Sequence, residues 1–539
     1  MQESGKLGVM LDCSRNAVAS MFGVKKFIDV ISKMGYNRLM LYTEDTYEIE
    51  GEPLFGYMRG RYAKTDLKEI DAYAAKKGVE LVPCIQTLAH LNQIFGWGPY
   101  NRICDMQDVL LVGEERTYEL IGRMLDTCSE CFTSRKIHIG MDEAFHLGLG
   151  KYREKHGWRD RSEIFLEHLN KVAKMADERG LKPMIWSDMF FHLAFNGKYY
   201  VKEGEIPPEV RAKVPKNVEL VYWDYYSDDK EMYESMLDKH LQFDNPVSFA
   251  GGVWKWGRFA PWNGTSIRRT ELAVRACNEK GVKDILITAW GDDGNECPIY
   301  AVLPSLLYAA ECAKGNYDIE NAKQKFNELF GEDFDDFCSL DLRMPDTINK
   351  LAPEVNGAKA MFYNDPFAGR YDSTVLGTGE EGKLFGEHAD RLAKAKQKSK
   401  NFGYIFEHYE KLCRFLEVKY DLGFRARAAY QAGDRAALTA IVEDFKEAEK
   451  RLKDFHAAFE KMWMTDYKPF GFDVHELRIG GLKMRLEGCR SRLERYLSGE
   501  ISVLDELEVE LVDYYGGETL RKTMPACYGA KHAATVNRI

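Results

Sequence analysis

Through residues 6–313, short apolar, β-rich runs alternate with stretches of helical periodicity. The runs predicted as strands are Leu7–Leu11, Arg38–Tyr42, Val79–Ile85, Lys136–Gly140, Pro183–Ser187, Val218–Tyr222, Val247–Val253 and Asp284–Ala289. Between the first two, Val18, Met21, Phe22, Phe27, Ile28, Ile31 and Met34 recur at helical spacing and stop before Gly35. Between the second and third, Thr65 reads as a helix N-cap and Gly78 as its C-cap. Eight such strand–helix units predict an α/β fold, a parallel (β/α)8 TIM barrel over residues 1–315.

After Ala313 the pattern changes. Residues 343–380 hold Pro345, Pro353 and Pro366 among glycines and polar residues, which predicts a loop-rich connection. Three apolar stripes at helical spacing follow. They are Phe402, Ile405, Tyr409, Leu412, Leu416 and Tyr420; then Leu438, Ile441, Phe445, Ala448, Leu452, Phe455 and Phe459; then Leu482, Leu486, Cys489, Leu493, Tyr496 and Leu497, stopped by Gly499. They predict antiparallel packed helices, broken at Lys468-Pro469-Phe470-Gly471, in a C-terminal mainly α-helical domain over residues 316–539. This domain is expected to pack on the barrel and to form a homodimer interface. The Tyr467–Asp473 loop is expected to close one edge of the barrel mouth.

Composition narrows the class. At 539 residues, 45% hydrophobic and 30% charged, the chain reads as globular and long enough for a barrel and a second unit. A formal net charge of -10 without a large basic block argues against nucleic acid or an anionic membrane as partner. No apolar run approaches the ~18 residues of a membrane span. The first residues lack a basic and apolar leader, so the chain is expected in the cytoplasm, or outside the cell if a leader has been removed. Among twelve cysteines, Cys13, Cys84, Cys277 and Cys413 sit in apolar segments, as reduced core thiols do. Cys128 and Cys131 have CxxC spacing but no second pair, so no zinc site is expected there.

The chemistry concentrates at one predicted strand end. The fourth strand runs out as His138-Ile139-Gly140-Met141-Asp142-Glu143, and C-terminal strand ends face the active site of a parallel barrel. Neighbouring side chains on a strand point to opposite faces, so both acids reach one pocket only if the backbone leaves strand geometry. Once together, like charges raise one pKa, as a general acid requires. Six of the nine tryptophans fall in the last four predicted units: Trp186, Trp223, Trp254, Trp256, Trp262 and Trp290. Indole faces stack on the C–H faces of pyranose rings, so a sugar ligand suits such a rim. Strand ends also deliver Asp12, Arg15, Glu44, Asp45, His90, Asp188, Asp224, Asp292 and Asp293. Each acid read alone fits a helix cap or loop anchor equally well.

The run His138 to Glu143 resembles the H-x-G-x-D-E signature of glycoside hydrolase family 20, the β-N-acetylhexosaminidases. Leu11-Asp12-Cys13-Ser14-Arg15 is similar to the family's first-strand motif, and Tyr42-Thr43-Glu44-Asp45 to its second. His90 stands where the family has a third-strand histidine, although Gln86-Thr-Leu-Ala-His90 replaces the usual Pro-Gly-His. Trp290-Gly291-Asp292 resembles the eighth-strand motif. Tyr363-Asn364-Asp365-Pro366, followed by helices, is similar to the branch with a C-terminal helical domain. Many members carry a small α/β domain before the barrel; here the first predicted strand begins almost at Met1, so that domain is expected to be absent or to have been deleted.

The resemblance implies an exo-acting, retaining enzyme that removes terminal β-linked GlcNAc or GalNAc through an oxazolinium intermediate. It implies Glu143 as acid and base, and Asp142 as the residue that orients the substrate's 2-acetamido group. Arg15 and Asp292 are implied for hydroxyls, Glu44 or Asp45 as partner of His90, and Tyr225 for the acetamide oxygen. His138, Trp186, Trp223, Trp254 and Trp290 complete the implied sugar site, with no metal or cofactor. Three alternatives stay open: a protein nucleophile (Asp188, Asp224 or Asp292) at ~5–5.5 Å from Glu143; a metal site of His138, Asp142, Glu143 and His146; and a sugar-binding barrel without catalysis.

Overall fold

The computed structural model describes residues 5–344, 357–520, 522 and 529–537. Among these, eight parallel strands close into a barrel in sequential order. They are β1 (Leu7–Asp12), β2 (Arg38–Thr43), β3 (Glu80–Ile85), β4 (Lys136–His138), β5 (Lys182–Trp186), β6 (Glu219–Trp223), β7 (Val247–Gly252) and β8 (Ile285–Ala289). Closure pairs Leu7 with Ile285 and Leu11 with Ala289. Every expected strand is present, and β4 ends two residues early because Gly140 has φ 72°. A short antiparallel ribbon, Cys104–Met106 with Val109–Leu110, decorates the link from β3 to β4 and has no counterpart in the predicted strands.

Alternation along each strand divides two cores. Leu7, Val9 and Leu11 face the surrounding helices, while Met10 faces the barrel interior with Met40, Tyr42, Val82, Cys84, Met184, Trp186, Val221 and Leu286. That interior cluster continues upward into Tyr225, Trp254, Trp256 and Trp290, so barrel packing and rim wall are one apolar body. The first helix, Met21–Met34, is capped by Ser20, whose side chain accepts from Gly23 N, and ends at Gly35 in the left-handed conformation. It buries Phe27, Ile28, Ile31 and Met34, but Phe22 of the expected stripe is exposed. Thr65 is not a cap. The next helix, Lys64–Lys76, starts two residues earlier than that cap would set it, with Ala63 at the N-cap and its N–H accepted by Asp66.

The three predicted stripes fall on helices Gly403–Lys419, Arg435–Asp466 and Phe472–Ser498, with Phe402 and Tyr420 of the first at that helix's two caps. Pro345 and Pro353 fall outside the described residues. Between the last two helices, residues 467–471 pack on the segment that follows Arg15. Asn16 Nδ2 donates to Gly471 O (3.0 Å), and Lys468 N to Val18 O (2.8 Å). At Gly471, φ is 87° and a Cβ would lie 1.8 Å from Asn16 O, so only glycine permits this approach. The loop therefore braces the β1 exit and is absent from the residues that line the pocket. Among the described residues, no helix is long and apolar enough to cross a membrane. All the cysteines described are free.

Candidate active site

A cavity of about 230 Å³ opens at the C-terminal end of the barrel. It is lined by Arg15, His90, Asp142, Glu143, Trp186, Trp223, Tyr225, Tyr226, Trp256, Gly257, Trp290 and Asp292.

The adjacent acids reach it together because the chain leaves β geometry. Gly140, Met141 and Glu143 all have positive φ (72°, 71° and 51°), which costs the two non-glycine residues energy and must be held in place. Gln86 supplies one restraint: its Oε1 accepts the Met141 N–H (3.1 Å) while its Nε2 donates to Asp142 Oδ1 (2.7 Å) and to the Tyr42 hydroxyl (3.0 Å). A Cβ on Gly140 would meet Gln86 Oε1 at 2.1 Å, so the glycine and the glutamine fit one another.

The two carboxyls sit in opposed electrostatic environments. Burial would raise Asp142, but His90 Nε2 at 3.2 Å and the Gln86 amide bring its pKa below the ordinary value. Glu143 is raised, first by burial and then by the Asp142 charge, with His90 Nε2 at 3.7 Å opposing. Burial would lower His90, yet the Asp142 carboxylate beside it carries it up to about 10, so it is an imidazolium at neutral pH. His90, Asp142 and Glu143 place one ligand atom each within 4.8 Å of one another.

Around them the sequence candidates divide. Arg15 forks between Glu44 (3.0 Å) and Asp292 (2.9 Å) and lies over the rings of Tyr42 and Trp290. Glu44 is buried behind Arg15, pushed to about 7 by burial against the pull of Arg15 and His90. Asp45 turns away: it pairs with Arg59 Nε (2.9 Å), and Arg59 in turn donates to the Arg15 carbonyl (3.1 Å). Glu44 is thus the second-strand acid that faces His90. His138 also stays outside the pocket. Its Nδ1 accepts the Gly140 N–H (3.1 Å), its ring packs on Trp186 at 4.2 Å, and burial depresses it to about 3, leaving it neutral. Trp254 lies one layer back, stacked on Trp256 at 4.4 Å.

Trp186, Trp223, Tyr225, Trp290 and Asp292 all line the cavity as expected. Tyr225 stacks on Trp223 (5.4 Å, 22°), and burial pushes its hydroxyl well above the usual range, keeping it a donor. The cavity also takes in Trp256, Tyr226 and Gly257, which the strand-end rule passes over because they lie deeper in their loops. Two alternative nucleophiles are occupied. Asp224 accepts from Tyr226 N, Ser227 N, Ser227 Oγ and the Tyr222 hydroxyl, closing its own turn. Asp188, fully buried, accepts from Glu143 N (3.0 Å) and Trp223 Nε1 (3.3 Å), and is raised to about 8 by burial and the neighbouring acids.

A closed parallel barrel with two unlike carboxyls in an indole-walled mouth defines a (β/α)8 protein of the glycoside hydrolase class. Residues 7–235 match the catalytic domain of glycosyl hydrolase family 20, and residues 333–525 match the glycoside hydrolase 20C C-terminal domain. The chain belongs to glycoside hydrolase family 20. It is similar to hexosaminidase D of Homo sapiens, 24% identical over 330 residues, 55% of this chain and 63% of that protein. A β-hexosaminidase of Akkermansia muciniphila is 24% identical over 217 residues, 33% of this chain and 43% of that protein. The chain thus spans less than two thirds of each relative's length. Among solved structures, a β-N-acetylhexosaminidase from Bacteroides fragilis aligns with TM-score 0.45 and 21% identity, covering 57% of this chain and 65% of that one. An exo-β-N-acetylglucosaminidase from Vibrio harveyi, in complex with N-acetylglucosamine, aligns with TM-score 0.47 and 15% identity, covering 64% and 59%.

Proposed function

We propose that this chain is an exo-acting, retaining β-N-acetylhexosaminidase that releases terminal β-linked N-acetylhexosamine by substrate-assisted catalysis. The observation that carries the reading is the opposed tuning of two adjacent carboxyls. Asp142 is kept ionised by His90 and Gln86, while Glu143 is raised toward the protonated form.

Glu143 protonates the glycosidic oxygen. The substrate's own acetamido carbonyl oxygen attacks C1 as the C1–O bond breaks, giving an oxazolinium. Asp142 accepts the acetamido N–H and stabilises the positive charge, and the Tyr225 hydroxyl donates to the acetamido oxygen. Glu143, now a carboxylate, takes a proton from water as that water adds to C1 and the C1–O bond of the oxazolinium breaks, which restores the acetamide and gives net retention. Arg15 and Asp292 bind sugar hydroxyls, and Trp186, Trp223 and Trp290 face the ring. The acetamide acts as an internal nucleophile, so positioning carries much of the rate.

This reading is favoured over a protein nucleophile because Asp188 and Asp224 are both occupied by donors, and Asp292 is paired to Arg15. The test is inhibition by an N-acetylglucosamine-derived thiazoline, a stable mimic of the cyclic intermediate. Competitive inhibition at concentrations well below the KM of an aryl glycoside is expected; no inhibition at concentrations above that KM would overturn the substrate-assisted route.

A further inference from the structure

Among the buried carboxyls that the mechanism above does not use, Asp188 bonds to the backbone of the acid itself. Asp188 lies two residues beyond the end of β5, at the start of the helix Asp188–Ala194, is fully buried, and does not line the cavity. Its two oxygens are divided between two different walls of the site. Oδ2 accepts the Glu143 backbone N–H at 3.0 Å, and Oδ1 accepts the Trp223 indole N–H at 3.3 Å.

Both bonds fall on groups that need external support. Glu143 holds φ 51°, a left-handed conformation that a residue with a long side chain adopts only when its surroundings impose it. Gln86 pins the chain two residues earlier, at Met141 N, and Asp188 pins it at Glu143 itself. The Glu143 side chain is 45% exposed and its nearest charged partner, His90, is 3.7 Å away. The carboxyl is therefore aimed chiefly through the backbone. Trp223 is held at its indole N–H and stacks on Tyr225, so the same carboxyl fixes the wall against which a sugar ring would lie.

We propose that Asp188 is a positioning residue that sets the Glu143 proton donor and the Trp223 platform in a fixed relation, so that proton and leaving oxygen meet in line. The inference rests on Glu143 being the acid. The titratable groups around Asp188 are Asp142, Glu143 and Tyr199, and none of them can replace its two acceptor oxygens. An asparagine there keeps one acceptor and turns an N–H₂ toward the other donor, so one of the two anchors is lost.

The experiment compares Asp188→Asn with the unaltered chain on two β-N-acetylglucosaminides, one with an alkyl leaving group and one with 2,4-dinitrophenolate. Departure of an alkoxide needs the proton; dinitrophenolate leaves without it. A donor displaced by about 1 Å costs on the order of 10²-fold where its geometry matters. The proposal expects kcat/KM, which reports the steps through cleavage of the glycosidic bond, to fall by about that factor on the alkyl glycoside and to change by less than about threefold on the dinitrophenyl glycoside. Tryptophan emission should also shift as the Trp223 N–H loses its acceptor. Equal losses on both substrates would overturn it, since a nucleophile or a general packing role penalises both. If Asp188→Asn does not fold, Asp188→Glu, which keeps two acceptors but moves them, must show the same leaving-group split or the proposal falls. Glu143→Gln is measured in parallel. If that variant shows no such split, the assignment of the acid has failed rather than that of Asp188.

Discussion

Replacing Glu143 by glutamine should lower kcat/KM on an aryl β-N-acetylglucosaminide by about 10²–10⁴-fold, the usual contribution of a positioned acid–base group. The amide keeps the size of the side chain, so the loss reads proton transfer and not packing. The pH profile should change with it. In the unaltered chain Glu143 must be protonated to act, so activity falls as pH rises through its raised pKa. Asp142 must be ionised, so activity falls as pH drops through its lowered pKa. Glu143→Gln should abolish the alkaline fall and keep the acidic one. Retention of both limbs, or a loss under tenfold, would remove Glu143 from its role.

Asp142→Asn should have a comparable effect with a different signature. The interaction of Asp142 with the acetamido N–H strengthens as positive charge builds on the cyclising ring, so its loss should appear in kcat more than in KM, by about 10²–10³-fold. The substitution also removes the charge that raises His90 and leaves a single acceptor oxygen where Gln86 and His90 now have two. The His90 imidazole should then titrate well below its present value of about 10, which a proton NMR titration would record. A variant that loses binding but keeps kcat would mean that Asp142 only anchors substrate. The pair is thus adjacent in sequence and unequal in role.

How much of this was legible in the sequence depends on what each feature obeys. Strands of a parallel barrel are buried on both faces, so they appear as continuous apolar runs, and all eight did. The pairing of Asp142 with Glu143 in one pocket required an interruption of strand geometry, and Gly140 was its only sequence trace. The choice between Glu44 and Asp45 was not legible, because consecutive residues at a strand end differ only in phase. It took Arg59, fourteen residues further on, to draw Asp45 away. Trp254 and Trp256 present the same difficulty. Their order in the loop does not say which indole is in front, and the stack places Trp254 behind. His138 belongs to the most recognisable motif in the chain, yet it supports Gly140 from beneath and does not reach the cavity. Asp188 was visible as a strand-end acid, but its partners, 45 and 35 residues away, exist only in the folded chain. Tertiary hydrogen bonds of this kind leave no periodicity to read.

The central claim is that the substrate supplies the nucleophile, and it is tested most directly by removing that nucleophile from the substrate. Rates on an aryl β-N-acetylglucosaminide and on the matching aryl β-glucoside, which lacks the acetamide, should differ by at least about 10³-fold, given what a well-oriented internal group contributes. The account predicts hydrolysis of the first and almost none of the second. Comparable kcat on the glucoside would contradict it, whatever the variants of Glu143 and Asp142 had shown.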